Sequence, residues 1–144
     1  MAERTIRDMI EGQELLTAPA GMMVAEAARL MKQRNVGAMM VVDGGKLVGM
    51  FTERDGLFRV VAAGLDGKTT PLSAVMTTNP RTVQPDRSFA QALSIMHEGR
   101  FRHLPVMEDG RPIGMISVRD AFGPELEAFV YELLRQEQVS QILA

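Results

Sequence analysis

The chain has 144 residues, enough for one compact body with a real core and too few for two large domains. It is 46% hydrophobic and 24% charged, and its 16 basic and 18 acidic residues leave a net charge of -2; no run of like charge speaks for a nucleic-acid or membrane surface. There is no cysteine, which excludes disulfides, thiolate metal sites and cysteine nucleophiles; with no signal-peptide core in the first ten residues and no apolar run near membrane length, a cytoplasmic location is expected.

In chain order, Ile6 to Ile10 reads as a short helix. An extended stretch around Leu16-Thr17 follows, kept from helix by Pro19. Val24, Ala27, Ala28 and Met31 then recur at helical spacing on one face. Two strands are expected over Val36 to Val42 and Leu47 to Phe51, joined by the hairpin turn Asp43-Gly44-Gly45. After Thr52 the chain turns into a helix with Gly64 as its C-terminal glycine. Residues 64–70 carry two glycines and two threonines and read as a linker.

The order then repeats. Leu72 to Met76 is a second short helix, Pro80 and Pro85 mark a second extended stretch, and Asp86 or Ser88 can cap a helix whose apolar face is Phe89, Ala92, Leu93 and Met96. Strands follow over Phe101 to Met107 and Ile113 to Ile116, about the turn Glu108-Asp109-Gly110. Laid over Thr82 to Asp120 with a shift of 65, Thr17 to Asp55 aligns without a gap, with identity at Thr17/Thr82, Ala25/Ala90, Ala27/Ala92, Met31/Met96, Val41/Val106, Gly45/Gly110, Gly49/Gly114, Met50/Met115, Arg54/Arg119 and Asp55/Asp120. A long period used twice predicts two like halves around a shared core, not a solenoid. The units run over residues 5–63 and 71–122. Beyond them, residues 124–144 are expected to form a helical extension opened by Pro124, with Leu126, Phe129, Val130 and Leu133 as its stripe and Val139, Ile142 and Leu143 continuing it.

The repeated chemistry lies in Gly45-Lys-Leu-Val-Gly49-Met-Phe-Thr52-Glu-Arg-Asp55 and Gly110-Arg-Pro-Ile-Gly114-Met-Ile-Ser117-Val-Arg-Asp120. Each sets a hydroxyl and a carboxylate three residues apart where a strand runs into a helix. Such a pair suits the 2′,3′-diol of a ribose, beside a helix N-terminus that favours an anion. It also suits a capping box, in which the same two side chains bond the first turn of their own helix, a role worth about 1 kcal/mol. The spacing alone leaves both open.

Both copies resemble the closing signature of the CBS (cystathionine beta-synthase) domain, and Arg100-Phe-Arg-His-Leu-Pro-Val106 resembles that family's lead into its second strand. The resemblance covers residues 5 to 122 and is to the stand-alone, bacterial-type tandem pair, or Bateman module. It implies an α+β fold of two repeats, each a small sheet flanked by helices, related by pseudo-two-fold symmetry. It also implies a cleft for an adenosine-type nucleotide (AMP, ADP, ATP, NAD(H) or S-adenosylmethionine) with two possible pockets. Carried over, the Asp120 pocket uses Ser117, Arg102 and His103 with backbone from Val36 and Gly37. The Asp55 pocket uses Thr52, the Ala38 region, and the backbone of Phe101 and Arg102. Thr17, Pro80 and Thr82 meet base or sugar. With Arg100, Arg102, His103 and Arg119 in the second repeat, the Asp120 pocket is expected to take the more anionic ligand, while Met40 in place of Pro105 sets the Asp55 pocket apart.

His103 reads either as a phosphate contact or proton switch or as a half-buried strand residue, and His97 as an exposed helix residue. Neither has partners at metal spacing. The twelve methionines are read as core filling. No phosphate loop, nucleophile elbow or acid/base pair is present, so no catalysis and no required cofactor are expected. The function read from this is a regulatory module, homodimeric by resemblance, that senses a nucleotide and signals to an unidentified effector protein. The alternative is a ligand-independent dimerisation or interaction module acting through its C-terminal helix.

Overall fold

The computed structural model describes residues 4–121 and 131–137. The first half comprises α1 (Ile6–Ile10), β1 (Thr17–Ala18), α2 (Val24–Arg34), β2 (Ala38–Asp43), β3 (Lys46–Thr52) and α3 (Glu53–Asp55), which runs on as a π-helical segment, Gly56–Val61. The second comprises α4 (Leu72–Val75), β4 (Thr77–Thr78), α5 (Phe89–Gly99), β5 (His103–Glu108), β6 (Arg111–Ser117) and a 3-10 turn, Val118–Ala121. Residues 131–137 are helical; the rest of the extension expected over 124–144 lies outside the described residues. No described helix is long and apolar enough to cross a membrane.

The two hairpins are built alike. β2 and β3 pair antiparallel from Ala38↔Thr52 to Asp43↔Lys46, and β5 and β6 from His103↔Ser117 to Glu108↔Arg111, each with a register shift at the same place, after Val41 and after Val106. Gly44 and Gly45, and likewise Asp109 and Gly110, have positive φ, as a two-residue turn with both central residues left-handed requires. One difference between the sheets has a plain cause. Met40 donates its N–H to the Leu16 carbonyl, and β1 pairs with β2 over two residues. Pro105 stands at the equivalent position and has no N–H, so the second copy keeps a single bridge, Val83↔Val106.

Two cores result. One holds Ala18, Val24, Ala27, Met31, Met39, Val41, Phe51 and Val60 together with Leu72 and Val75. The other holds Val83, Phe89, Ala92, Met96, Leu104, Val106 and Ile116 together with Ile6 and Ile10. Each core therefore contains the short helix that opens the other sequence unit. The exchange is stitched by matching backbone bonds. Ile6 and Arg7 donate to the carbonyls of Arg87 and Pro85, and Phe89 donates to Arg4; in the other direction Leu72 and Ser73 donate to Met22 and Ala20, and Val24 to Thr70. These equivalences express the pseudo-two-fold relation of the halves. Arg7 adds ion pairs with Asp86 and Glu108, and the two carboxylates hold its guanidinium pKa above its usual value.

The glycines of the signature answer to this exchange. A Cβ at Gly49 would lie 2.7 Å from the Met76 sulfur and 2.8 Å from the Thr77 carbonyl oxygen, and one at Gly114 would lie 2.9 Å from Ile10. Only glycine lets α4 and α1 approach β3 and β6 so closely. Beyond α4, Thr77–Thr78 pairs with β3 as β4. Beyond α1, the Gln13 side-chain amide takes the corresponding role, donating to the Met115 carbonyl at 3.0 Å and accepting its N–H at 2.8 Å.

Residues 64–70 do more than join the halves. Met23, at the N-cap of α2, makes no side-chain cap bond, and a helix start leaves backbone donors unmet. The carbonyls of Thr70 and Gly67 accept from Val24 and Ala25 instead. Of the two candidate caps, Asp86 and Ser88, it is Ser88 that caps α5, forming a capping box with Gln91. On α2 the buried face is narrower than its periodicity suggests: Val24, Ala27 and Met31 are buried and Leu30 packs beside them, whereas Ala28 is exposed.

Candidate functional site

Two cavities lie where a signature aspartate of one half faces the lead-in to the first hairpin strand of the other. The larger, about 690 Å³, is lined by Thr52, Asp55, Thr77, Pro80, Phe101 and His103, with Arg54, Arg59, Arg81, Arg100 and Arg102 around it and Leu57 and Phe58 at its side. The smaller, about 350 Å³, is lined by Leu16, Val36, Gly37, Ala38, His103, Ser117, Arg119 and Asp120, together with Glu14 and Arg34.

Asp55 is buried, 6% exposed. Thr52 and Asp55 form a complete capping box: the Thr52 hydroxyl accepts from the Asp55 N–H and the carboxylate accepts from the Thr52 N–H, both at 3.1 Å. The capping alternative read from the spacing is thus realised here. The carboxylate is still on the cavity wall, where the Thr77 hydroxyl donates to it at 3.3 Å and Arg59 Nε stands 3.5 Å away. These outer contacts are at the loose end of hydrogen bonding. The second copy is only half a box. Ser117 N–H donates to Asp120 at 2.8 Å, but the Ser117 hydroxyl accepts from Arg119, two residues on, at 3.2 Å. The helix start accordingly tightens into a 3-10 turn.

The wall opposite Asp55 comes from the end of α5. Arg100 ends that helix with φ of 58°, a left-handed conformation unusual for a residue with a Cβ. Phe101 then folds back so closely that a Cβ on Gly99 would lie 1.9 Å from its ring. Asn35, the equivalent of Arg100, has φ of 55° and turns the chain toward the Asp120 cavity.

Several expected assignments change sides. Arg102 lines the Asp55 cavity, and also a neighbouring cavity with Val36, Gly37, Ser117 and Arg119, but not the one that holds Asp120; Ala38 lines the Asp120 cavity and not that of Asp55. The crossing of the halves explains this, since each aspartate faces the other half's lead-in and not its own. The cations that led to the expectation of a more anionic ligand at Asp120 are divided differently between the cavities. The Asp120 cavity sets Arg34 and Arg119 against Glu14 and Asp120, with Arg34 paired to Glu14 at 2.8 Å, whereas five arginines face Glu53 and Asp55 in the other. Thr17 and Thr82 line neither cavity; the residues just before them, Leu16 and Arg81, do. In an extended chain neighbouring side chains point to opposite faces, so the threonines turn away. Pro80, Phe101, Val36, Gly37, Ser117 and Arg119 line the cavities for which the resemblance assigns or suggests them. Thr77, Arg54, Arg59 and Arg81 also line the Asp55 cavity without being assigned to it by the resemblance, although the repeat alignment combined with the crossing points to Arg81 and Arg54.

His103 is the one described residue that lines both cavities. Burial pushes its pKa below 6.5; Glu53 and Asp120 oppose that shift, and Arg102 and Arg119 add to it. Its ring Cε1 would lie 3.3 Å from a Cβ at Gly37, so the glycine makes room for the imidazole. Among the described residues, no group of three or more His, Asp or Glu side chains is placed to hold a metal ion.

The CBS domain model matches residues 6–61 and 72–123. The chain is 37% identical over 116 residues to the CBS domain-containing protein YhcV of Bacillus subtilis, covering 81% of each. It is 39% identical over 117 residues to CBSCBSPB3 of Arabidopsis thaliana, covering 81% of this chain but about a fifth of that protein's length, 21%. Among solved structures, the CBS-domain containing protein ATU1752 from Agrobacterium tumefaciens superposes with a TM-score of 0.75 at 34% identity, over 81% of this chain and 95% of that one.

Proposed function

Because the chain belongs to the CBS domain family, as a tandem pair, we propose that it is a regulatory module that binds an adenosine-containing nucleotide between its halves, with the Asp55 cavity as the principal site. The observation that carries the reading is the placement of Asp55. It is a buried carboxylate at a helix start, on the wall of a 690 Å³ cleft, large enough for a nucleoside and its substituents. The ribose diol donates to Asp55, replacing the long Thr77 and Arg59 contacts, and the cap bond from Thr52 N–H stays in place. Pro80 and Phe101 flank the base. The CBS domain pair of protein MJ0100, of similar fold at 24% identity and a TM-score of 0.74, was solved in complex with 5-methylthioadenosine and S-adenosyl-L-methionine. That likeness is one of fold, and the ligand reading for this chain rests on its own cavity. No step of catalysis belongs to the proposal; the output is a shift in the relation of the halves, which needs a ligand with different affinity for two states.

The test is thermal and calorimetric titration with adenosine, AMP, ADP, ATP, NAD(H) and S-adenosylmethionine. A ligand at 100 times its Kd raises stability by about 2.7 kcal/mol. Asp55→Asn keeps an acceptor for the cap but weakens the grip on the diol, so it lowers affinity with little loss of stability. Absence of any shift across the whole panel refutes the reading.

A further inference from the structure

The duplication allows the two cavities to be compared position by position. Arg54, Arg81, Arg100 and Arg102 line the Asp55 cavity; their equivalents, Arg119, Leu16, Asn35 and Gly37, line the Asp120 cavity. Three of the four positions have diverged, all in the same direction, to place a guanidinium on one side only. None of these four arginines has a carboxylate partner among the described residues, whereas Arg7, Arg34 and Arg59 do. Arg59 is already committed, paired to Asp55 and donating to the Met76 carbonyl at 3.1 Å.

With Asp55 paired to Arg59, four guanidinium groups share this cleft with one further carboxylate, Glu53, and the excess of like charge builds a positive potential across its mouth. A polyanion removes that repulsion, and guanidinium forks match phosphate oxygens in geometry as well as charge. In the other cavity Arg34 is paired to Glu14, and Arg119 shares the lining with Asp120, which leaves no surplus of cations.

We infer that the Asp55 cavity selects for a chain of phosphates on its nucleoside, through Arg54, Arg81, Arg100 and Arg102, while the Asp120 cavity has no such selectivity. The inference deepens the proposed function and rests on it for the nucleoside; the anion site itself stands on the arginines alone. The two halves then answer to different ligand chemistry, one graded by phosphate number and the other indifferent to it.

Isothermal titration of the full chain with adenosine, AMP, ADP and ATP, and with inorganic tripolyphosphate alone, tests this. Affinity rises from adenosine to ATP, by about ten-fold for each phosphate that gains a charge-assisted bond, and falls steeply between low and physiological salt. Tripolyphosphate binds and competes with ATP. The fourfold variant Arg54→Gln, Arg81→Gln, Arg100→Gln, Arg102→Gln brings the adenosine-to-ATP series to within about two-fold while adenosine itself still binds. These four side chains are exposed, so the variant is expected to fold; its melting temperature is checked, and the single variants Arg81→Gln and Arg102→Gln give the same trend in part. A flat series in the unmodified chain, with adenosine bound, overturns the inference and leaves the proposed function standing. Tripolyphosphate binding without any adenosine compound does the opposite. No binding of either overturns both.

Discussion

Replacing Ile6 with alanine tests the exchange of helices more directly than any ligand experiment. Ile6 is fully buried, at 0% exposure, in the core built around Phe89, Met96, Leu104, Val106 and Ile116. Truncation to alanine removes three carbons, about 2.4 kcal/mol of transfer free energy at about 0.8 kcal/mol each, and leaves a cavity besides. About 3 kcal/mol is expected in all, roughly a hundredfold in the folding equilibrium. Guanidinium unfolding gives the total, and native-state amide exchange gives its location. Protection is lost first in α5, β5 and β6, about one hundred residues away in the chain, and last in α2 and β2. Leu72→Ala, at 0% exposure in the core of Met39, Val41 and Phe51, loosens the opposite half. If Ile6→Ala instead opened α2 and β2 and spared β5 and β6, the assignment of α1 to the second core would be wrong.

Other consequences can be checked by similar means. His103 titrates lower in the folded protein than its ordinary 6.5 because burial disfavours its charge; on acidification the unfolded chain takes up the proton first, so stability present above about pH 6.5 is lost as pH falls through the folded value. Denaturation midpoints between pH 8 and 5 show this slope, and His103→Ala reduces it. Arg100 holds a left-handed backbone at a helix end, where glycine is unstrained, so Arg100→Gly raises the unfolding free energy by up to about 1 kcal/mol, read from denaturant titration, while removing one cavity guanidinium. Gly49→Ala drives a methyl group against the Met76 sulfur and the Thr77 carbonyl and costs about 1–3 kcal/mol by calorimetry, as overpacking does.

Much of the architecture was legible because local rules and the repeat agreed. The type I′ turns at 44–45 and 109–110, the cap at Ser88 and the helical faces of α2 and α5 all follow from short-range chemistry. Other features depend on contacts that no local pattern encodes. Ala28 fits the helical spacing yet stays outside, because spacing gives a face and not its width. Pro105 erases a strand pairing through an absent N–H on a neighbour distant in sequence. The site was harder still. Thr52, Asp55, Ser117 and Asp120 stand out because the signature repeats, but which arginines surround them depends on how the halves cross. Reading Arg102 as a companion of Asp120 assumed that each signature meets the side chains of its own hairpin. The strand alternation that turns Thr17 and Thr82 outward was available from the sequence, had the extended stretches been assigned a face.

The position of His103 constrains how such a molecule can change. One imidazole serves as the party wall of two chambers, so neither chamber can be enlarged at that point without encroaching on its neighbour. A variant selected for a bulkier guest on the Asp55 side inherits an altered room on the Asp120 side, and adaptation of the pair at this wall has to proceed in step.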